Sequence, residues 1–282
     1  MMPVIKTRNY VRPTSVSEAS QLLADENTLA VAGGTLVYIL SAKGLLGEVD
    51  TIVDLETLGL SFVRVCEEKG ELGATTKIQA LVDRTDLPAV LREASLYVPK
   101  EVRNMGTIGG EVSAAYPYFD VACALMSLDT VVKLTDGSKT TSRSLDGFYR
   151  GILEPDVDKG RIVKSLEFPV NKFDFTKYKR KSLTAHGYGI ASLALSLRRL
   201  QGVVEDIRVV AGGALSTPPT RLLDVEGKLK GRELNEELLS VAREAVMSSS
   251  YLKPTDDIKA SSNYKRRLFS ILLGEILDEV AR

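Results

Sequence analysis

Two Gly-Gly loops, each set at the edge of a regular element, constrain this 282-residue chain more than any other feature. The first is Ala32-Gly33-Gly34-Thr35-Leu36. It follows an apolar run at 29–32 that reads as a strand. It precedes 36–40, which reads as a helix with Thr35 near its cap. The second is Thr107-Ile108-Gly109-Gly110-Glu111. Glycine turns the backbone through positive φ and lacks the Cβ that blocks a close ligand. Successive free N–H groups in such a loop form a concave anion nest, and a following helix N-terminus adds roughly half a positive charge. A pyrophosphate suits that arrangement. Neither loop continues into Gly-Lys-Ser/Thr and neither fits Gly-x-Gly-x-x-Gly, so the pattern supports neither a P-loop nor a Rossmann nicotinamide site. Either loop alone also reads as an ordinary tight turn.

The remaining chain alternates strands and helices. Ser15-x-x-Glu18 forms a capping box ahead of an apolar stripe, Ala19, Leu22 and Leu23. Residues 51–55 read as a strand, and 62–66 with 71–75 as a hairpin. Thr76-x-x-Gln79 reads as a second cap. A helix follows over 87–96 with Pro88 early in it, and Asp120 reads as the N-cap of an apolar helix over 121–128. Strands follow over 131–134 and 162–168. The segment 170–182 is polar and basic, and it marks a boundary near residue 172. Beyond it, 190–200 and 203–211 flank Gln201-Gly202 as a long hairpin. Helices over 221–229, 236–247 and 264–280 complete the chain. About 150 residues per domain gives two domains. They are 1–172, itself in two α/β parts divided near 55–60, and a smaller α+β unit at 173–282.

Composition narrows the function. Lys and Arg number 37, balancing 37 Asp and Glu, so long-range electrostatics offers nothing to a nucleic acid. No apolar run approaches the ~18 residues of a transmembrane helix. The N-terminus lacks the apolar stretch of a secretory signal, which makes a cytoplasmic protein the expectation. Cys66 and Cys123 are isolated and read as small buried hydrophobes, and the chain has one histidine. These residues cannot by themselves ligate an iron–sulfur cluster or a zinc ion, so no metal site is expected in this chain.

Three motifs in order, AGGTL at 32–36, RNMGTIGGEVSAAYPYFD at 103–120 and AGGALSTPPTR at 211–221, carry a family resemblance that covers essentially the whole chain. Glu226, Leu229 and Gly231 extend the third. The sequence resembles the FAD-binding medium subunits of the molybdenum hydroxylases, a group that includes carbon monoxide dehydrogenases, xanthine dehydrogenases, nicotine dehydrogenases and archaeal aldehyde oxidoreductases. The resemblance implies an α+β fold: a two-part α/β FAD-binding domain of the PCMH type, then a smaller α+β domain. It implies an oxidoreductase subunit with no catalytic residue of its own. It also implies a small subunit bearing two [2Fe–2S] clusters, a large molybdopterin subunit, and a heterotrimer or its dimer. An aldehyde is the favoured substrate, oxidised in the partner. A self-sufficient FAD-dependent oxidase or reductase, or a flavin-sensing module, are the other readings.

The resemblance also assigns residues. Ala30, Val31, Ala32, Gly33, Gly34, Thr35, Leu36 and Val37 would wrap the pyrophosphate and one side of the flavin. Thr107, Ile108, Gly109, Gly110 and Glu111 would complete the cradle. Asp120 would meet the cofactor hydroxyls or serve only as an N-cap. Tyr97 would lie on the adenine side or simply pack, and Val163 would present its backbone to the flavin or sit in the core. Lys179 or Lys181, on one face by strand alternation, would approach the isoalloxazine; the bland alternative is a solvated basic run. His186 reads as a loop or interface residue. Three departures stand out: Leu36 where Asp is usual, Glu111 where Asn is usual, and Tyr118-Phe119 in place of a small pair. Glu111 is therefore expected to contribute its N–H rather than its carboxylate.

Overall fold

The computed structural model describes residues 7–185 and 187–281. The first part is a small parallel sheet. β1 (Asn9–Val11), β2 (Thr28–Val31) and β3 (Thr51–Asp54) pair in the order β1-β3-β2, with helices α1 (Val16–Leu22) and α2 (Thr35–Ala42) as crossovers. Ser15 caps α1 by accepting from the Glu18 N–H at 3.1 Å. Glu18 reaches back to Thr14 instead of closing the box on Ser15. α2 begins directly at the first glycine loop, with Gly34 at its N-cap.

The second part is a five-stranded antiparallel sheet. β4 (Val63–Val65) and β5 (Lys69–Gly73) form the expected hairpin. They are followed by α3 (Ala89–Tyr97), α4 (Lys100–Met105), α5 (Ile108–Ser113) and α6 (Asp120–Ser127). β6 (Val131–Thr135), β7 (Thr140–Ser144), the short pair β8 (Tyr149–Gly151) and β9 (Glu154–Pro155), and β10 (Ile162–Pro169) complete it. The sheet order is β4-β5-β10-β6-β7. The cap expected from Thr76 is not made. Its hydroxyl instead accepts from the Phe62 N–H and donates to the Phe62 carbonyl, both at 2.9 Å, and so ties down the hairpin.

The third part is a four-stranded antiparallel sheet. β11 (Phe175–Lys181), β12 (Ala191–Leu200), β13 (Val203–Gly213) and β14 (Thr220–Arg221) pair in sequence order, backed by α7 (Leu223–Leu229), α8 (Glu236–Ser248) and α9 (Ser262–Ala281). Gln201 and Gly202 both take positive φ, the geometry of a two-residue hairpin turn that follows the strand twist. The polar segment after residue 172 is thus mostly a strand.

α6 is the centre of the molecule. Every residue from Asp120 to Ser127 is buried, as expected for a helix covered on all sides. It packs on α3 and α5 and also against β12 and β13. The third sheet is therefore covered on both faces, and the first seven residues of β12, 191–197, read as an unbroken buried run of small and apolar residues before Arg198 and Arg199 emerge. Leu193, Leu195 and Leu197 face the C-terminal helices, while Ala194 faces the α6 side. Gly212 has no room for a side chain, since a Cβ would meet Ser192 Oγ at 2.8 Å and the Pro117 carbonyl at 3.3 Å. The glycine pair at 212–213 thus lets β13 approach the α6 segment.

Candidate functional site

The two glycine loops lie side by side. Gly33 sits against the Met105–Gly106 backbone, where a Cβ would collide with the Met105 carbonyl. A cavity of about 360 Å³ opens beside them. Ala30, Val31, Ala32, Gly34, Thr35, Leu36 and Val37 line one wall, and Thr107, Gly110 and Glu111 the other. A second cavity, about 570 Å³, continues from it and shares Gly34, Thr35, Leu36, Val102, Glu111 and Phe119. Its apolar walls are Tyr38, Ile39, Pro99, Met105, Tyr118 and Tyr188. At its inner end stand Asp120 and Arg180. The result is one elongated cleft between the first part of the chain and β11.

The two loops differ in what they offer. At the first, Gly34 takes φ +68°, and the N–H groups of Thr35, Leu36 and Val37 bond to no other described residue. These are the unpaired amides of a helix first turn, and they border the cleft. At the second, the expected nest is already filled. Ile108 N–H bonds to the Thr76 carbonyl at 3.0 Å, Gly109 to Ala74 at 2.8 Å, Gly110 to Thr107 Oγ1 at 3.2 Å and Glu111 to the Thr107 carbonyl at 3.0 Å. Ile108 and Gly109 line neither cavity. Gly109 is glycine because a Cβ would meet Ala74 at 2.6–2.7 Å. The second loop shapes the cleft; the first supplies its free amides.

Glu111 takes the helix-capping role that the sequence offered to Asp120. The N–H of Glu111 is spent inside α5, while its Oε2 accepts from the Val121 N–H at 3.0 Å and so caps α6. Asp120 is the first residue of α6 rather than its N-cap. Its Oδ1 accepts from the Tyr178 hydroxyl and its Oδ2 from Arg180 Nη1 at 2.7 Å. Burial raises the Asp120 carboxyl above its ordinary value, against the pull of Arg180 and Tyr178. Burial, with Asp120 nearby, pushes Glu111 up to about 8. The Tyr178 hydroxyl is raised well above its ordinary value by burial and by Asp120.

Arg180 is the site residue that the sequence reading missed. Its side chain is 3% exposed. Nη1 holds Asp120, Nη2 donates to the Gly187 carbonyl at 3.0 Å, and the guanidinium lies 4.9 Å from the Tyr97 ring centre. Its buried Nε has no partner among the described residues. Lys179 and Lys181 are not at the cleft. Lys179 Nζ pairs with Glu279 at 2.7 Å and Glu275 at 3.2 Å, and Lys181 pairs with Glu275 at 3.5 Å. The reason is strand parity. Lys179 pairs in register with Leu193, on the α9 side, and Arg180 with Ser192, on the α6 side. Alternation does put both lysines on one face, but it is the face turned away from the cleft.

Tyr97 stands one layer back, edge-on to Tyr178 at 5.7 Å and beneath Arg180. Val163 is in the core and lines neither cavity. Tyr118, Tyr188 and Tyr116 form an aromatic cluster, with Tyr118 and Tyr188 ring centres 5.0 Å apart. Cys66 is exposed rather than buried, whereas Cys123 is buried and its thiol is pushed up by burial and Asp120. His186 lies outside the described residues.

A strand–glycine turn–helix that leaves amides free, opening on an apolar cleft closed by a buried arginine, defines a protein that holds an elongated anionic ligand. The profile "FAD binding domain in molybdopterin dehydrogenase" matches residues 5–171, and "CO dehydrogenase flavoprotein C-terminal domain" matches 175–280. The chain is 31% identical over 280 residues to the glyceraldehyde dehydrogenase medium chain of Sulfolobus acidocaldarius, covering 97% of this chain and 98% of that one. It is 25% identical to the carbon monoxide dehydrogenase medium chain of Afipia carboxidovorans, covering 96% and 95%. A structure of CO dehydrogenase from Oligotropha carboxidovorans superposes with a TM-score of 0.90 at 22% identity, covering 100% of this chain and 99% of that one. Quinoline 2-oxidoreductase from Pseudomonas putida 86 superposes with a TM-score of 0.86 at 22% identity, covering 97% and 96%. This chain belongs to the FAD-binding medium subunits of the molybdenum hydroxylase family. It is an oxidoreductase subunit with an FAD-binding domain, and among the described residues no helix is long and apolar enough to cross a membrane.

Proposed function

We propose that this chain holds FAD in the cleft and serves as the electron-carrying subunit of a cytoplasmic, three-subunit aldehyde-oxidising enzyme or its dimer. Electrons would come from [2Fe–2S] clusters of a small partner and go to an external acceptor, with the aldehyde oxidised at molybdenum in a large partner. The aldehyde assignment rests on the glyceraldehyde dehydrogenase relative, which spans nearly the whole chain. The chain is taken to divide near residue 172 into an FAD-binding domain, itself in two parts, and a C-terminal domain. The two core clusters support that division, with Tyr178, Ala194 and Val210 of the second domain reaching into the first.

The observation that carries the cofactor reading is the shape and polarity of the cleft. Free amides of Thr35, Leu36 and Val37 stand at one wall, an apolar cavity of about 570 Å³ follows, and the unpartnered Arg180 Nε lies buried at its inner end. A flavin dinucleotide matches this order: a charged diphosphate for the amides and an apolar ring system with polar edges for the deeper cavity. When bound, FAD supplies the exchange between one- and two-electron transfer. The residues of this chain bind, orient and shield. The first turn of α2 takes the negative charge. Gly34 and Gly110 border the cleft without side chains. Tyr118 and Tyr188 wall it from solvent, and Asp120 with Tyr178 holds Arg180 in place. Val163, Tyr97, Lys179 and Lys181 have no contact role in this reading.

Co-purification of the chain with its two partners tests the proposal. Iron, molybdenum and flavin should elute with one three-subunit species that glyceraldehyde reduces. A chain that purifies alone and turns over an aldehyde unaided would overturn it.

A further inference from the structure

Glu111 is the one carboxyl that lines both cavities and has no cationic partner among the described residues. It is 7% exposed. Its Oε2 accepts from the Val121 N–H at 3.0 Å and the Ala122 N–H also approaches the carboxyl, while no full hydrogen bond from a described residue engages Oε1. Only the Val121 and Ala122 backbone N–H groups at the start of α6 favour a charge on it, and burial with Asp120 outweighs them. On α6, Asp120 is a carboxylate already engaged by Arg180, and Cys123 is a buried thiol. On β8, the buried Tyr149 hydroxyl feels Glu111 and has no partner of its own among the described residues. From the loops, Tyr116, Tyr118 and Tyr188 contribute neutral phenols, the last pushed up to about 12. From β11, the guanidinium of Arg180 is turned to Asp120 and the Gly187 carbonyl. A second buried negative charge beside Asp120 would have the α6 amides but no cation to compensate it.

We propose that Glu111 is a neutral, proton-carrying hydrogen-bond donor to an acceptor atom of the bound flavin dinucleotide, so that cofactor retention falls as the solution turns alkaline. With Oε2 accepting from Val121, the proton resides on Oε1, and a carboxylic acid there donates where a carboxylate would repel the dinucleotide. The upward shift of Glu111 to about 8 supports the same protonation state at neutral pH. The reading explains a sequence departure. Asparagine, usual at this position in the family the chain resembles, also presents a neutral donor and an acceptor. Protonated Glu111 keeps that polarity and adds a titration. The inference rests on the proposal that the cleft holds FAD.

The test is equilibrium FAD binding to the full apo chain, followed by flavin fluorescence, at pH 7 and pH 9. This window lies above histidine and below tyrosine titration. A group that must be protonated to bind, with a free-state value of about 8, weakens binding roughly tenfold across it. Glu111→Gln keeps donor and acceptor and cannot ionise, so its Kd should change less than about twofold over the same window. The inference is overturned if the wild-type Kd is flat, or if the Gln variant shows the wild-type slope. Should the variant not fold, the wild-type ratio alone decides. Absence of FAD binding at every pH would overturn the cofactor reading itself; binding without pH dependence would overturn only the role of Glu111.

Discussion

Replacing Arg180 by Met should destabilise the apo chain more than any other single change at the cleft. Arg180 and Asp120 have side chains 3% and 5% exposed and meet at 2.7 Å. Removing the guanidinium leaves a buried carboxylate with the Tyr178 hydroxyl as its remaining side-chain partner. Breaking a buried pair on one side costs about 3–5 kcal/mol. At roughly 2–4 °C per kcal/mol for a chain of this size, the melting temperature should fall by about 6–20 °C. Because β11 belongs to the third sheet and α6 is the helix packed against it, the loss also loosens the contact between them. Thermal denaturation of the apo chain at neutral pH reads the effect. Replacing Asp120 by Asn in the same chain should restore at least half the loss, since the orphaned charge is gone. FAD affinity should stay low in the double variant, which still lacks the arginine. A shift below about 2 °C for Arg180→Met, or no recovery in the double variant, would refute the claim that this pair holds the inner end of the cleft.

Further outcomes follow from the same geometry. Gly34→Val should abolish FAD binding, because Gly34 has φ +68° and borders both cavities; retention of stoichiometric flavin would remove the first loop from the site. Lys179→Met should leave the flavin potential unchanged in a redox titration and cost less than about 1 kcal/mol, since its partners Glu275 and Glu279 lie in a partly exposed network away from the cleft. Glu111→Gln should change the pH dependence of apo stability. A carboxyl raised from 4.5 unfolded to about 8 folded contributes stability fully present below about 4.5 and lost as pH rises to about 8. The variant escapes that loss, so its stability advantage in denaturant titrations should grow by about 1.4 kcal/mol per pH unit across the window; a constant difference between pH 5 and 8 would contradict the shift.

Features set by neighbours in sequence were legible in the sequence. The Ser15 cap, the Gln201-Gly202 turn and the strand-to-helix step at Gly33-Gly34 each depend on residues a few positions apart. Roles set across the fold were not. Glu111 caps a helix ten positions away, which no capping pattern contains, and Asp120 is then free to face β11. Strand alternation separated Lys179 and Lys181 from Arg180 but could not say which face meets the cleft, because both faces of the third sheet are covered. A buried aspartate does demand a cation, and that requirement was the available pointer to Arg180. Glycine identity was equally ambiguous. Gly33 and Gly109 are small for the sake of neighbouring backbone, while Gly34 and Gly110 border the cleft.

The central claim is that this cleft holds one FAD through the first turn of α2 and the inner Arg180. Its most direct test is the flavin content of the purified full chain after incubation with excess FAD and removal of free ligand. One FAD per chain is expected for the wild type and none for Gly34→Val, both folded by circular dichroism. A folded wild-type chain that retains no flavin, or a Gly34→Val chain that retains as much as wild type, would contradict the claim.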